Sequence, residues 1–142
     1  MGGDMRIYLD NCVLNRPFDD QGQLLISLQT QAKLAIQERI RQGSLELAWS
    51  FILDYENAAN PFQDRRRFVD IWKRHSALDL DVSDTIIAWA DELAGRGILA
   101  KDALHLACAR EALCAFFITT DRRSRGVSFG GGGGKAWSLI WN

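Results

Sequence analysis

Short apolar runs alternate along this chain with longer amphipathic stretches, and no other feature constrains the fold as much. The runs are Ile7, Tyr8 and Leu9 near the start, then Leu45 to Trp49, Leu78 to Val82 and Ala115 to Thr120. After an Arg16-Pro17 break, Leu24, Leu25, Leu28, Ala32, Ala35, Ile36 and Ile40 recur at helical spacing until Gly43 offers a stop. Ser50 stands where it can cap a second helix, which Asn60-Pro61 interrupts. A third helical stretch, Phe62 to His75, turns Phe68, Val69, Ile71 and Trp72 inward and its arginines outward. Ser83 is placed to cap a helix carrying Ile86, Ile87, Ala90, Leu93 and Ala94, closed by Gly95 and Gly97. A last helix is expected from about Ala100 to Leu113. Strands separated by helices of this length join through crossovers, so the fold class is α/β, with a mainly parallel sheet covered on both faces.

The chain of 142 residues fits one domain, 1–142, that can bury a sizeable core without staples. Residues 1–4 read as a polar N-terminal extension and 126–142 as an atypical glycine-rich segment, in which Gly130 to Gly134 form an unbroken run. Whether the following "AWSLIW" returns to the sheet is open at this level. Cys12, Cys108 and Cys114 make no CxxC pair, which disfavours zinc or a disulfide framework and points to a reducing cytoplasm. No apolar run spans a membrane and no signal segment opens the chain, so a soluble protein with no membrane partner is expected. A net charge of −1 excludes a general nucleic-acid sponge. It leaves room for local basic patches at Arg65 to Arg67 and Arg122 to Arg125, although such runs are often plain solvated charge.

Position singles out four carboxylates from eighteen acidic residues. Asp10 and Asp121 end strands, Glu56 follows the strand Leu45 to Trp49, and Asp102 opens the last helix with His105 one turn later. Taken singly, each has an ordinary role as a turn former, a cap or an exposed helix acid. In a doubly wound sheet these ends gather beyond the carboxyl edge of the strands. Two unit charges about 4 Å apart repel by roughly 4 kcal/mol at an effective dielectric near 20, so such a cluster needs a cation or extra protons. Oxygen ligands favour Mg2+ or Mn2+, and an ion of that kind suits phosphodiester hydrolysis. The phosphate-loop, dinucleotide, nucleophile-elbow and zinc-protease motifs are all missing. Cys12 reads as a buried core thiol rather than a nucleophile.

The segments "YLDNCVLNRPFDD", "WSFILDYENAANP", "GILAKDALHLACA" and "FITTD", in this order, resemble the PIN domain, the metal-dependent ribonuclease module of VapC-like toxins. The resemblance runs from about Met5 to Arg125. It implies a three-layer α/β/α domain with a central parallel sheet of about five strands, homodimerisation, Mg2+ or Mn2+ as cofactor, cleavage of single-stranded RNA and a cognate antitoxin as partner. Carried over residue by residue, it places catalytic, metal-binding acids at Asp10, Glu56, Asp102 and Asp121. Asp54 competes for the Glu56 role, but two residues apart on a helix the pair lie about 200° apart, and the spacing from Ser50 favours Glu56. Asn11 and Thr120 would supply polar contacts to the carboxylates or the ion, and Arg65, Arg122 and Arg123 would contact RNA. His105 is expected to pack or hydrogen-bond beneath the site rather than titrate in it. The alternative is a PIN-like module that binds RNA or protein and cuts nothing.

Overall fold

A computed structural model describes residues 5–15, 22–119 and 135–138. Its strands form one sheet in the order β3-β2-β1-β4-β5, every pair parallel, with helices flanking it. The central strand β1 (Met5–Leu9) lies between β2 (Leu45–Ser50) and β4 (Phe116–Thr119). Tyr8 stands opposite Ala48 on one side and Phe117 on the other. Ile7, Tyr8 and Leu9 are all buried, as expected of a central parallel strand enclosed on both faces. β3 (Ser76–Leu80) is one edge. β5 (Lys135–Ser138) is the other and pairs with β4, so the segment after the glycine run does return to the sheet.

The helices are α1 (Asn11–Asn15), α2 (Leu24–Arg41), α3 (Phe51–Ala58), α4 (Gln63–Lys73), α5 (Asp84–Gly95) and α6 (Ala100–Glu111). Sequence periodicity did not announce α1, which has only five residues. It begins directly at the end of β1, where the Asp10 carbonyl accepts the amide hydrogens of Val13 and Leu14. β3 starts two residues before the expected Leu78, because the turn after α4 is short, closed by the Arg74 amide on the Ile71 carbonyl and the His75 amide on the Trp72 carbonyl. α2 ends at Gly43, whose φ of +83° is a left-handed conformation that only glycine adopts cheaply.

α2 buries a different face from the one its apolar spacing suggests. Leu28 and Ala35 are exposed, whereas Gln29, Thr30, Lys33, Gln37 and Ile40 are buried. The Lys33 ammonium lies 4.5 Å from the centroid of the Phe68 ring of α4. Long polar side chains can serve an interior in this way because their methylene stems supply apolar surface. The core itself is contiguous, running from Ile7, Leu9 and Leu47 in the sheet through Val13, Leu53 and Val69 to Ile86, Leu106 and Ala109.

Candidate active site

The strand order reverses between β1 and β4, and in open α/β sheets the ligand crevice lies beyond the strand ends at that point. Asp10 is the residue immediately after β1. Its backbone amide still belongs to the sheet, donating to the Ile118 carbonyl of β4 at 3.0 Å, which fixes the side chain at the mouth of the crevice. The carboxylate is buried and well supplied with donors. Oδ1 accepts the Asn11 backbone N–H at 2.7 Å, and Oδ2 accepts the Thr119 hydroxyl at 2.9 Å and the Cys12 thiol at 3.3 Å.

Glu56 reaches the same place from α3 and His105 from α6. The His105 Nε2 hydrogen-bonds Glu56 Oε1 and stands 3.7 Å from Asp10 Oδ1. One ligand atom from each of Asp10, Glu56 and His105 falls within a 4.8 Å group. Asp102, one turn before His105, lines the same cleft, a cavity of about 470 Å³ that Asn11, Cys12 and Arg65 also border. Three of the four acids singled out in the sequence therefore meet at one cleft. Asp121, Thr120, Arg122 and Arg123 lie outside the described residues.

Asp54 is turned elsewhere. It accepts the Trp49 indole N–H at 2.9 Å and pairs with the Lys73 ammonium at 3.1 Å, which leaves Glu56 as the acid of α3 that enters the cleft.

His105 does more than pack. A second hydrogen bond, 2.6 Å from Nδ1 to the Tyr8 hydroxyl, continues to Ser50 Oγ at another 2.6 Å. A polar line thus runs from the cleft into the core. Burial lowers the His105 pKa, but the Glu56 hydrogen bond and the charges of Asp10, Glu56 and Asp102 outweigh it and raise the group above its ordinary value. With the ring protonated, Nε2–H donates to Glu56 and Nδ1–H to the Tyr8 oxygen, while the Tyr8 hydroxyl donates to Ser50. Burial, reinforced by the nearby Cys108, keeps the Tyr8 phenol well above its ordinary pKa, so it stays a neutral link.

Two further contacts had weak sequence signals. Thr119, which the sequence did not single out, donates its hydroxyl to Asp10, while the expected Thr120 lies outside the described residues. Cys12 is half-buried at the border of the core with its thiol on Asp10, not enclosed as expected. Burial pushes the thiols of Cys108 and Cys114 up to about 12, which removes both as nucleophiles.

The donor set suits a hard divalent ion. Carboxylate oxygens of Asp10 and Glu56 converge, Asp102 borders the same space, and the single nitrogen donor is already engaged by Glu56. Among the described residues no helix is long and apolar enough to cross a membrane.

No protein-family model and no curated protein sequence matches the chain. Solved structures do. VapBC2 from Rickettsia felis, solved bound to a DNA fragment from its promoter, matches with a TM-score of 0.54 and 13% identity over 84% of this chain and 90% of that one. FitAcB from Neisseria gonorrhoeae matches with a TM-score of 0.53 and 17% identity over 81% of this chain and 87% of its own. At such identities the likeness concerns the fold, which is PIN-like and shared with these proteins.

Proposed function

We propose that this protein is a metal-dependent ribonuclease that hydrolyses phosphodiester bonds of single-stranded RNA, acting as the toxin of a toxin-antitoxin pair. The observation that carries this reading is the convergence of Asp10 and Glu56, from β1 and α3, at a cleft that Asp102 of α6 also lines. Asp10, Glu56 and Asp102 would hold Mg2+ or Mn2+, with Asp121 as a fourth acid by its place in the sequence after β4. Such an ion, when bound, supplies an activated water and neutralises charge growing on a phosphate oxygen. The protein's own groups do the positioning. Asn11, Thr119 and Cys12 hold Asp10 by three donors, and His105 holds Glu56 from below. Arg65, which borders the cleft, would meet a backbone phosphate, and Arg122 and Arg123 would extend that contact. The structural likeness to VapBC2 and FitAcB supports an antitoxin partner, and we extend the reading to a homodimer working in the cytoplasm.

The test is cleavage of unpaired RNA with Mg2+ or Mn2+ as the only divalent ion. Asp10→Asn and Asp102→Asn should each abolish it while the circular dichroism spectrum and cooperative melting persist. Undiminished cleavage in both variants would rule the proposal out.

One observation favours a second reading, a PIN-like module that binds RNA or protein without cutting. His105 Nε2 already hydrogen-bonds Glu56 and stands 3.7 Å from Asp10, so the acids have a partner within the chain itself. Calorimetric titration separates the two, because the binding module takes up no Mn2+ at this cleft.

A further inference from the structure

The border of the cleft also carries surface of a different chemical kind. Phe62 and Arg65 line the same cavity as Asp10, Glu56 and Asp102. Phe62 is 55% exposed, so a large apolar ring stands open to solvent at the border of the cleft. The Arg65 guanidinium lies 4.6 Å from the ring centroid, a cation–π arrangement that backs the ring and brings positive charge to it. The ring does not hang from a loose loop. The Phe62 amide donates to Asn60 Oδ1 at 3.0 Å, its carbonyl accepts the Arg66 amide at 3.0 Å, and Arg66 Nη1 donates to the Asn60 carbonyl at 2.6 Å. Pro61 adds a fixed φ in between. A rigid exposed aromatic backed by a guanidinium is preorganised to receive a planar partner.

The acids repel an anion placed directly against them unless a divalent cation lies between, whereas Arg65 at the border can meet a phosphate and the Phe62 ring a flat base, the two parts of a nucleotide. In a duplex both faces of each base are covered by neighbours, whereas an unpaired base presents a face to an aromatic ring. The cavity volume of about 470 Å³ lies within the range of pockets that enclose one small organic group. We propose that Phe62, backed by Arg65, is the stacking platform for an unpaired nucleobase next to the phosphodiester held at the acid cleft. It is thereby the residue that makes the protein select single-stranded over paired RNA. The position of that phosphodiester rests on the nuclease reading above; the stacking contact does not. Stacking is tolerant of base identity, so the platform discriminates strandedness rather than sequence.

Fluorescence anisotropy of a labelled single-stranded RNA in EDTA, with a hairpin of the same composition in parallel, tests the platform without cleavage. Phe62→Ala should weaken single-strand binding roughly 5- to 100-fold. Phe62→Trp should retain it, and neither change should alter hairpin binding. Tyr55 is a control: it is 64% exposed on α3 but outside this cavity, so Tyr55→Ala should bind as the unaltered protein does. Equal single-strand binding by Phe62→Ala and the unaltered protein, or equal loss toward both RNAs, overturns the platform, as does failure of the unaltered protein to bind RNA. A separate cleavage assay in Mn2+ keeps the two ideas apart. Weakened binding in Phe62→Ala with no cleavage by the unaltered protein removes the nuclease and keeps the platform, and the converse pair of results does the reverse.

Discussion

Tyr8 and His105, 97 positions apart in the chain, share a buried hydrogen bond of 2.6 Å that ties the central strand to the helix bearing Asp102. The ring planes meet edge to face at 66°, and Tyr8 also stacks on Phe117 of β4. One side chain therefore carries sheet packing and the polar support of the cleft together. Glu56 is oriented at the far end of that support, which links core packing to the geometry of the acids.

Tyr8→Phe isolates the polar part of this link. The ring still fits, but His105 Nδ1 loses its partner inside the core. A buried polar group left unsatisfied costs about 1–3 kcal/mol, so denaturant unfolding should shift by that amount with an unchanged m-value. A change below about 0.5 kcal/mol would mean that the hydrogen bond is replaced as soon as it is removed.

Divalent ions should stabilise the folded chain, because the unfolded chain presents no preformed cleft. At a free Mn2+ concentration about 100 times Kd the gain is about 2.7 kcal/mol, readable as a rise in Tm. Asp10→Asn should abolish the increment. Asp54→Asn breaks the contacts with Trp49 and Lys73 and lowers the baseline, yet it should leave the Mn2+ increment intact, because Asp54 faces away from the cleft.

Ser50 and Ser83 look alike in sequence, each placed before a helix, and they do different work. The Ser83 hydroxyl accepts the Ile86 amide at 3.2 Å and caps α5, so Ser83→Ala should cost about 1 kcal/mol, the usual worth of a cap. Ser50 makes no capping bond, and its hydroxyl is hydrogen-bonded to the Tyr8 hydroxyl instead. Ser50→Ala should therefore act through the core, costing about 1–3 kcal/mol and shifting the near-ultraviolet signal of Tyr8, which Ser83→Ala should leave unmoved.

The same contrast marks how far the sequence carries. Strand and helix order and the parallel sheet follow from periodicity, which is a local property, and Asp10, Glu56 and Asp102 stand out because element ends gather at one edge of such a sheet. What local pattern does not contain is rotation about an element's own axis and the partner met across space. That the Thr119 hydroxyl reaches Asp10 depends on the pleat and register of β4 against β1, which the local sequence does not contain. His105 sits on a helix whose other positions are mainly apolar, so its pattern gives no hint that both ring nitrogens are engaged. In α2 the spacing announces the helix but not the face it buries, since the stems of Gln29, Lys33 and Gln37 replace the expected leucines and alanines.

Lys33, on the buried face of α2, gives the fold a measurable pH dependence. Its side chain is fully enclosed, and among the described residues its ammonium meets no acceptor and only the Phe68 ring. Burial lowers its pKa from 10.5 to about 7. Between those two values the unfolded chain holds a proton that the folded chain releases, so stability rises as pH climbs from about 7 towards 10.5. The stability is fully present above the unfolded value and is lost as pH falls to the folded one. Below pH 7 the charge must be buried, at a cost on the order of 5 kcal/mol. Lys33→Met keeps the stem and removes the charge. Urea unfolding should show the variant more stable at pH 6, with the advantage shrinking steadily and nearly gone by pH 10.5. An advantage that stays constant across this range would mean that Lys33 keeps its charge in the folded state, satisfied by an acceptor.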